Sequence, residues 1–550
     1  MTGATPITLT GDSLTLDQIV AIARHRVPVR LDDDARSRLV ATRAFITDHW
    51  LVDDAPLMYA FNTGVGALKN QRVSAQDMVR FQRNLIHSHS ATTGESMPAE
   101  AVRAMMAIRV NTFARNHSGV RVDVVDRLIA MLNVGITPIV AAKGSVGASG
   151  DLAPLAMMSG ALMGLEPARV EFLGAVLSAR EAFQQAGLPP TFEVEAKDGT
   201  ALINGATASL AYAVLAAFDA RQLLSSATLS LTLSLEAVRA ERSCFDDRVM
   251  MARPHRGQRR VAQAVRRLLG DSARCSDLAR AVDLQAALDA GQKSALPFSG
   301  AQPRIQDVYS FRCAPQVYGP VLDALDYIDG TLTTEMNSAT DNPLIFPAGS
   351  GYDVVSGGHF HGQYVAQAMD LLALVVTDLG AICDRRSNLL MDPVANFGLP
   401  RNLIATEPGI NSGFAVVQSM GTGLVLENMG LCSPASVTSL PAKGNQEDHI
   451  SNSCFAARRT RTVVENTQAV VGAETLIAAQ ALDLCADALA GFPVGQGAAA
   501  VLKRLRADVP AMLGDDRWVQ EDVESVNRLV RSGALIDAAV SACGELWVEG

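Results

Sequence analysis

The chain has 550 residues, of which 48% are hydrophobic and 19% are charged, a composition typical of a compact globular enzyme and not of a disordered chain. Its formal net charge of −10 argues against nucleic acid or an anionic membrane as a partner and favours a small-molecule substrate. A chain of this length is expected to form roughly two or three structural units.

The cysteines and the N-terminus predict a cytoplasmic protein. The sequence has eight cysteines without a Cys-x-x-Cys pair, and we expect free thiols in a reducing compartment. The polar residues 1–12 show no basic segment followed by an apolar one, so no signal peptide is expected. The longest uncharged run, residues 201–218, contains Asn204 and Gly205 and predicts a buried helix rather than a membrane span.

Local patterns in the first 200 residues predict helices and one small sheet. The capping box that begins at Thr15 predicts a helix through Ile22, and the one that begins at Ser178 predicts another helix. The β-prone run 170–173, followed by a glycine, predicts a small sheet within residues 165–200.

A helix that begins after Ser74 carries the first candidate site residue. Met78, Phe81 and Leu85 recur at helical spacing and predict an apolar stripe. His89 lies four residues beyond Leu85 on the same stripe, so we expect its side chain to face inward.

Long stretches without helix breakers dominate the rest of the chain. They cover about residues 202–242, 362–391 and 456–490, and helices of this length predict a bundle. Residues 229–235 alternate as a strand would, but no breaker flanks them and we predict helix there. The expected fold is all-α, with an N-terminal domain at 1–200, a central long-helix bundle at 201–490 and a C-terminal helical segment at 491–550.

Residues 144–154 contain three small residues in a row, Ala148, Ser149 and Gly150, which let the backbone fold tightly upon itself. Attack of the Gly150 amide nitrogen on the Ala148 carbonyl carbon would close a five-membered ring. Loss of two waters, one of them from the Ser149 hydroxyl, would leave an exocyclic methylidene, an electrophile that no unmodified side chain supplies. By itself the tripeptide is more typical of a tight turn, and its spacing matches neither a hydrolase elbow nor a dinucleotide-binding loop.

Residues 144–154 resemble, almost residue for residue, the segment of the aromatic amino acid ammonia-lyases and aminomutases that forms 4-methylidene-imidazol-5-one (MIO). The resemblance implies an L-aspartase-like helical fold and an MIO formed autocatalytically from Ala148, Ser149 and Gly150. It also implies a homotetramer whose active sites draw residues from several subunits.

Two further segments resemble family motifs with known roles. The loop that begins at Tyr59 is similar to the family's lid, whose tyrosine is the catalytic base, although a loop tyrosine alone is more often a packing residue. Residues 306–316 are similar to the segment that carries the carboxylate clamp, here Arg312, whose guanidinium can form two parallel hydrogen bonds. Gln306 and Tyr309 are implied as neighbouring site residues.

Two other candidates have an equally plausible structural interpretation. Asn204 matches the family's Asn-Gly pair near the prosthetic group and the substrate amine, but an asparagine inside a helix can also bond a backbone carbonyl. Phe346 ends a stretch, 340–346, that resembles the family's Asp-Asn-Pro segment, whose phenylalanine lines the site. Such an aromatic residue is otherwise most simply part of a core.

Three residues favour histidine as the substrate, which would be converted to urocanate and ammonia. Ser88 and His89 occupy the positions that help to select the ring, and they resemble the pair of the family's histidine lyases. Glu447 matches the carboxylate that histidine lyases place against the imidazole. A buried glutamate and histidine are costly without a polar ligand, and an imidazole offers both a donor and an acceptor.

Metal binding is the competing interpretation of the histidines. Two pairs, His87 with His89 and His359 with His361, are spaced at i,i+2, and no His-Glu-x-x-His is present. We therefore expect no required metal, and a metal hydrolase is the weaker alternative.

Several departures from the family pattern leave the substrate and the product open; they lie at Ala60, Phe61, Val65, Met157 and His359. A modified histidine or another aromatic amino acid is an alternative substrate. An MIO-dependent 2,3-aminomutase would use the same residues, and a non-catalytic scaffold would be expected to have lost one of them.

Overall fold

A computed structural model describes residues 5–284, 305–443 and 445–548, and the chain divides into two compact units. Unit 1 comprises Met1–Phe218, Ile328–Asp370 and Pro434–Arg461. Unit 2 comprises Asp219–Tyr327, Leu371–Ser433 and Thr462–Gly550. Each unit collects separate stretches of chain because four long helices contribute to both units: Thr207–Ala237, Ala314–Met336, Gln363–Met391 and Ser453–Leu484. A division into contiguous domains at residues 200 and 490 stays a prediction.

The described chain is mostly helical, which confirms the predicted all-α class. The other helices of unit 1 are Leu16–Ala23, Asp33–His49, Met78–His89, Ala99–Ala114, Val122–Val134, Leu152–Leu162, Ala179–Gln185 and Asp198–Ile203. Those of unit 2 are Asp247–Ala252, Arg256–Leu269, Asp277–Arg280, Tyr309–Arg312, Ala415–Leu431, Gln496–Arg506, Gln520–Ser532 and Ala534–Cys543. Both predicted capping boxes are present, because Thr15 and Ser178 each accept the third backbone N–H of their helix.

The strands are short and belong to unit 1. Ile7–Leu9 pairs in parallel with Val29–Leu31, and three antiparallel arrangements follow. These are Thr93–Ser96 with Ala141–Lys143, Arg169–Phe172 between Thr137–Pro138 and Ala175–Ser178, and Leu344–Ala348 with Gly351–Val355. The hairpin at residues 169–178 is the small sheet that the sequence predicts.

The alternating residues 229–235 lie inside the helix Thr207–Ala237, as predicted. The threonines Thr228 and Thr232 of this helix are buried, and the helix itself satisfies their hydroxyl groups. Thr228 donates to the carbonyl of Leu224 at 2.9 Å, and Thr232 donates to that of Thr228 at 2.8 Å. Such bonds to the i−4 carbonyl allow serine and threonine inside a buried helix.

The stretch predicted as one helix from residue 202 contains a break, which corrects the placement of Asn204. The helix Asp198–Ile203 ends before Asn204, whose backbone is extended, and the next helix begins at Thr207. Gly205 has a φ of 107°, which favours glycine. Its N–H and C=O pair with Ser149 and Asp151 at 3.2 and 2.9 Å, so a distant segment replaces the helical hydrogen bonds.

One helix, Gln363–Met391, is long and apolar enough to cross a membrane by length and composition. Of its most apolar window, 67% is buried inside the protein, as in the core helix of a soluble protein. All eight cysteines are free thiols.

Candidate active site

A cavity of about 1000 Å³ in unit 1 brings together residues from seven separated stretches of the chain. Its walls come from the loop after residue 56, the end of the helix Met78–His89, the segment at 148–152, the residues around the break at 204, Asn342, the loop at 356–361, and Lys443 with residues 446–449. Six of the residues predicted from the sequence line it: Tyr59, His89, Ala148, Ser149, Asn204 and Glu447.

The backbone at Gly150 has no room for a side chain. Gly150 has a φ of 71° and forms a bridge with Gly205. A Cβ built on Gly150 would lie 1.9 Å from the carbonyl carbon of Gly205, a distance that no real contact allows. Ala148 is buried, and the Ser149 side chain faces the cavity. The tripeptide is thus held in a tight turn by the break between the two helices.

Asp151 anchors this turn from the buried side. Its carboxylate accepts the Ser145 hydroxyl at 2.6 Å and the Ser209 backbone N–H at 2.6 Å. The Ser209 hydroxyl adds a third bond at 3.0 Å. Burial raises the pKa of Asp151, and these hydrogen bonds partly offset that effect. The carboxylate therefore fixes the start of the helix Thr207–Ala237 against the turn.

Glu447 reaches the Ser149 side chain across the cavity. The Ser149 hydroxyl donates to Oε1 at 2.5 Å, and the Lys443 ammonium donates to the same oxygen at 2.8 Å. The other oxygen, Oε2, is buried and has no hydrogen-bond partner among the described residues. Because an unpaired buried acceptor is costly, Oε2 is available for a donor on a ligand. Lys443 was not identified from the sequence, although its i,i+4 spacing to Glu447 was the available signal.

The ring of His89 is held at Nδ1. This nitrogen lies 2.9 Å from the carbonyl oxygen of Leu85, and because a carbonyl can only accept, Nδ1 carries the hydrogen. The neutral ring therefore presents Nε2 as an acceptor. Ser88 is exposed and does not line the cavity, but its hydroxyl lies 3.0 Å from Nδ1 of His89. Ser88 is therefore placed to position the ring of His89.

We expect His89 to titrate below its ordinary pKa of 6.5. Desolvation is the largest cause that lowers the pKa, and the Lys443 charge lowers it further, against the opposing effects of the Leu85 carbonyl and Glu447. The ring should be neutral at pH 7 and should gain its proton only as the pH falls below 6.5. NMR titration of the His89 Cε1–H signal measures this value.

Two lysine variants separate the contributions to the His89 pKa. Lys443→Met removes the charge that lowers it and should raise it. Lys69→Met is the control: it removes another lysine of the cavity, which bonds Gln446 at 3.0 Å, and should leave the His89 pKa unchanged. A His89 pKa at or above 6.5 in the unsubstituted protein contradicts the expectation.

Tyr59 begins a loop whose backbone is fixed by its own side chains. Its phenol oxygen accepts the Gly66 N–H at 3.0 Å. Asn62 accepts the Met58 N–H at 2.8 Å and closes the loop. Ala60 has a φ of 62°, in the left-handed region that favours glycine.

A second departure in this loop, Phe61, has a packing role. Phe61 is fully buried in a cluster with Ile46, Trp50, Met58 and Ile345, among others. Its ring meets that of Trp50 edge-on, with the centroids 5.7 Å apart. The aromatic side chain therefore ties the loop to the core and does not line the cavity.

Asn204 is held by a buried ion pair that the sequence did not indicate. Its amide donates to Asp341 at 3.0 Å, and the Lys197 ammonium donates to the other oxygen of Asp341 at 2.8 Å. Both charged side chains are fully buried. Lys197 also donates to the carbonyl of Pro343 at 2.7 Å. Burial lowers the pKa of Lys197, and the Asp341 carboxylate partly offsets this.

Replacing Lys197 with methionine should destabilise the protein strongly. The variant leaves the Asp341 charge buried without its cation, and removing one partner of such a pair costs about 3–5 kcal/mol. Chemical denaturation measures the loss. Lys503→Met, at an exposed lysine, is the matched control and should change the free energy of unfolding by no more than about 0.5 kcal/mol. Equal stability of the two variants contradicts the importance of this pair.

Comparison with known proteins identifies the family of this chain. The family model for aromatic amino acid lyases matches residues 14–507. The chain belongs to the aromatic amino acid lyase family. It is an enzyme of the carbon–nitrogen lyase class. The histidine ammonia-lyase of Gloeobacter violaceus is 41% identical over 541 residues, which is 98% of each protein.

Solved structures of this lyase family have the same fold. The histidine ammonia-lyase from Trypanosoma cruzi matches with a TM-score of 0.85 and 34% identity over 99% of this chain and 98% of that one. A tyrosine aminomutase from Streptomyces globisporus matches with a TM-score of 0.89 and 32% identity over 99% of this chain and 100% of that one.

The remaining predicted site residues do not line the cavity. Gln306, Tyr309 and Arg312 lie in unit 2, where the Arg312 guanidinium sits over the Tyr309 ring at 4.5 Å from its centroid. Tyr309 is 70% exposed. Phe346 is in unit 1, partly exposed, with its ring centroid 4.9 Å from that of His117. Across the parts of the chain that the structure describes, no group of three or more histidine, cysteine or acidic side chains could hold a metal ion.

Proposed function

We propose that this lyase converts L-histidine to urocanate and ammonia. The observation that carries the proposal is the single cavity that holds Tyr59, Ser149, His89 and Glu447. It combines a candidate base, the segment of the candidate electrophile and two ring-binding acceptors. The names of the relatives in Gloeobacter violaceus and Trypanosoma cruzi support the same reaction.

The segment from Ala148 to Gly150 fits an MIO prosthetic group formed from its own residues. Only glycine can occupy position 150, and the Gly205 backbone holds the turn closed. The Ser149 hydroxyl, which is lost during MIO formation, bonds Glu447 at the wall of the cavity. When formed, MIO supplies an electrophile for the substrate. The proposal requires no metal.

Tyr59 is the proposed base for the β-proton of the substrate. The Gly66 N–H donates to its phenol oxygen at 3.0 Å, which helps to fix the position of that oxygen in the cavity. Asn204 is proposed to hold the substrate amine, and the ion pair of Lys197 and Asp341 fixes its amide.

The ring-binding residues favour an imidazole over other aromatic rings. His89 presents an acceptor at Nε2, and Glu447 presents a buried acceptor at Oε2. A protonated imidazole carries two N–H donors and can satisfy both, whereas a phenol carries one donor and a phenyl ring none. The cation would also be attracted by the Glu447 carboxylate.

We further propose a homotetramer in which a neighbouring subunit completes the site. Among the described residues that line the cavity there is no arginine, so a guanidinium clamp has to come from elsewhere. Arg312 is that clamp in the proposal, with Gln306, Tyr309 and Phe346 as its neighbours in the site. Large apolar side chains are exposed near Tyr309 and on the helix Ala415–Leu431: Ile305, Val416, Leu426 and Met429. Side chains of this kind mark protein interfaces.

Mixed subunits test this sharing of the site. Tyr59→Phe and Arg312→Met should each be nearly inactive. If one site takes Tyr59 from one subunit and Arg312 from another, unfolding and refolding a mixture should restore part of the activity. Mixtures no more active than the separate variants, in an assembly shown to contain both, contradict the sharing.

The proposed location is the cytoplasm, and the proposed partner is a free amino acid. Free cysteines suit a reducing compartment. The negative net charge argues against binding to nucleic acid or to anionic membranes.

A substrate panel tests the proposed ring. Rates with L-histidine, L-tyrosine and L-phenylalanine should differ strongly in favour of histidine, because a ring without donors leaves Glu447 and His89 unpaired. Sites built to bond a polar group reject analogues without it by about 10⁴-fold. Comparable kcat/KM values for the three amino acids contradict the assignment of His89 and Glu447 to the ring.

The structural match to a tyrosine aminomutase makes a 2,3-aminomutase the second candidate. That enzyme would return ammonia to the β-carbon and yield a β-amino acid. Chromatographic analysis of the products separates the two reactions, since the lyase should accumulate urocanate and no β-histidine.

A further inference from the structure

The contact between Glu447 and Ser149 concerns the unprocessed chain, in which the serine still carries its hydroxyl. We propose that Glu447, supplied with a proton by Lys443, is the general acid for the loss of the Ser149 hydroxyl when the prosthetic group forms. This inference rests on the proposed MIO, but not on the identity of the substrate.

The three groups form a continuous hydrogen-bonded chain. Ser149 Oγ lies 2.5 Å from Oε1 of Glu447, and Lys443 Nζ lies 2.8 Å from the same oxygen. The Glu447 side chain is 12% exposed, whereas that of Lys443 is 46% exposed. The lysine can therefore exchange protons with water, and the glutamate can carry a proton inward to the serine.

Ring closure and dehydration together release two waters. The Gly150 nitrogen bonds to the Ala148 carbonyl carbon. The former carbonyl oxygen takes the protons of the Gly150 and Ser149 N–H groups and leaves as the first water, and a C=N double bond forms between the Ala148 carbon and the Ser149 nitrogen. In the second loss the Cα–H and Cβ–Oγ bonds of Ser149 break. The electron pair of the Cα–H bond becomes the new Cα–Cβ double bond, and the pair of the Cβ–Oγ bond leaves with the oxygen.

The leaving oxygen needs a proton, because hydroxide is a poor leaving group. As the Cβ–Oγ bond breaks, Oε1 of Glu447 gives a proton to Oγ of Ser149 and takes one from Lys443 in the same step, and the oxygen leaves as the second water. Solvent takes the proton from Cα and returns one to Lys443. The waters are the sole products, and no oxidant or other reactant is needed.

Asp151, the nearest acid in the sequence, is engaged elsewhere. Its two oxygens accept hydrogen bonds from Ser145 and Ser209. These bonds give it an anchoring role at the start of the helix. Glu447 is the carboxylate that touches the reacting hydroxyl.

Intact-mass spectrometry of freshly synthesised protein tests the proposal without any substrate. The unsubstituted chain should lose two waters, and the time course gives the rate. Glu447→Gln keeps the size of the side chain but cannot relay a proton, so this rate should fall by ~10²-fold or more, as for other acid–base groups. Lys443→Met should also slow the loss, by a smaller factor, because water can replace the lysine.

Two controls should lose both waters at the normal rate. Lys69→Met removes a different lysine of the same cavity. Tyr59→Phe removes the proposed base for the substrate. If Glu447→Gln does not fold, as judged by circular dichroism, Glu447→Asp keeps the charge but withdraws the carboxylate from Oγ and should also mature slowly.

The outcomes separate this inference from the proposed function. If folded Glu447→Gln loses both waters at the normal rate, the inference is overturned and the proposed histidine reaction is unaffected. If Glu447→Gln does not fold, the same result in Glu447→Asp has the same meaning. An unsubstituted chain that has lost both waters but does not act on histidine overturns the substrate and leaves the inference standing. A chain that never loses the waters contradicts both.

Discussion

Tyr59→Phe should lower the turnover of L-histidine by ~10²-fold to 10⁴-fold, the range typical of a lost acid–base group. The phenol oxygen of Tyr59 is the proposed proton acceptor in the cavity, and it accepts the Gly66 N–H at 3.0 Å, which helps to fix its position. Phenylalanine keeps the ring and its packing, so the stability should change little. Steady-state rates from the formation of urocanate measure the effect.

The KM for histidine distinguishes a chemical role of Tyr59 from a structural one. Loss of a group that acts on the reacting proton lowers kcat with little change in KM, whereas a disordered lid should raise KM as well. Intact mass should show the loss of two waters in this variant, as in the unsubstituted chain. We expect the turnover to fall by at least ~10²-fold. A turnover of Tyr59→Phe within about threefold of that of the unsubstituted enzyme contradicts the assignment of Tyr59 as the base.

Ser149→Ala should have a larger effect, because it removes the hydroxyl whose loss creates the methylidene. This variant cannot lose the second water, so no methylidene should form, and turnover should fall by ~10⁴-fold or more, as is typical when a covalent group is removed. Intact mass and activity are measured on the same preparation. Activity that survives in this variant shows that the electrophile is not needed.

Ser145→Ala is the matched control in the same loop. Ser145 donates to Asp151 at 2.6 Å, and removing this bond should cost about 1 kcal/mol of stability. The control should still lose two waters, since the Ser149 hydroxyl and its contact with Glu447 are unchanged. If neither serine variant forms the prosthetic group, the loss of activity in Ser149→Ala comes from a change in the shape of the loop and not from the missing Ser149 hydroxyl.

Local interactions made most of the helical fold predictable from the sequence. The capping box at Thr15 and the absence of breakers around residues 229–235 act over a few residues, and the structure confirms both predictions. The break at Asn204 was missed because its cause is distant. Gly205 gives its backbone hydrogen bonds to Ser149 and Asp151, so a continuous helical pattern in the sequence is interrupted.

The candidate site was predictable residue by residue, but not as a set of contacts. Family motifs indicated Ser149 and Glu447 separately, and the hydrogen bond between them joins residues 298 positions apart. Lys443 and Lys197 match no motif that the sequence analysis used, and only the fold shows that they bond Glu447 and Asp341. A side chain that acts by bonding another residue can be identified only when the fold shows which residue it contacts.

The most direct test of the central claim is to incubate the purified protein with L-histidine and to follow two products together. Near-ultraviolet absorbance reports the conjugated double bond of urocanate, and an enzymatic assay reports free ammonia. The account predicts that both rise in equal amounts. If a chain that has lost two waters forms neither product, histidine is not the substrate, whether or not the protein binds it.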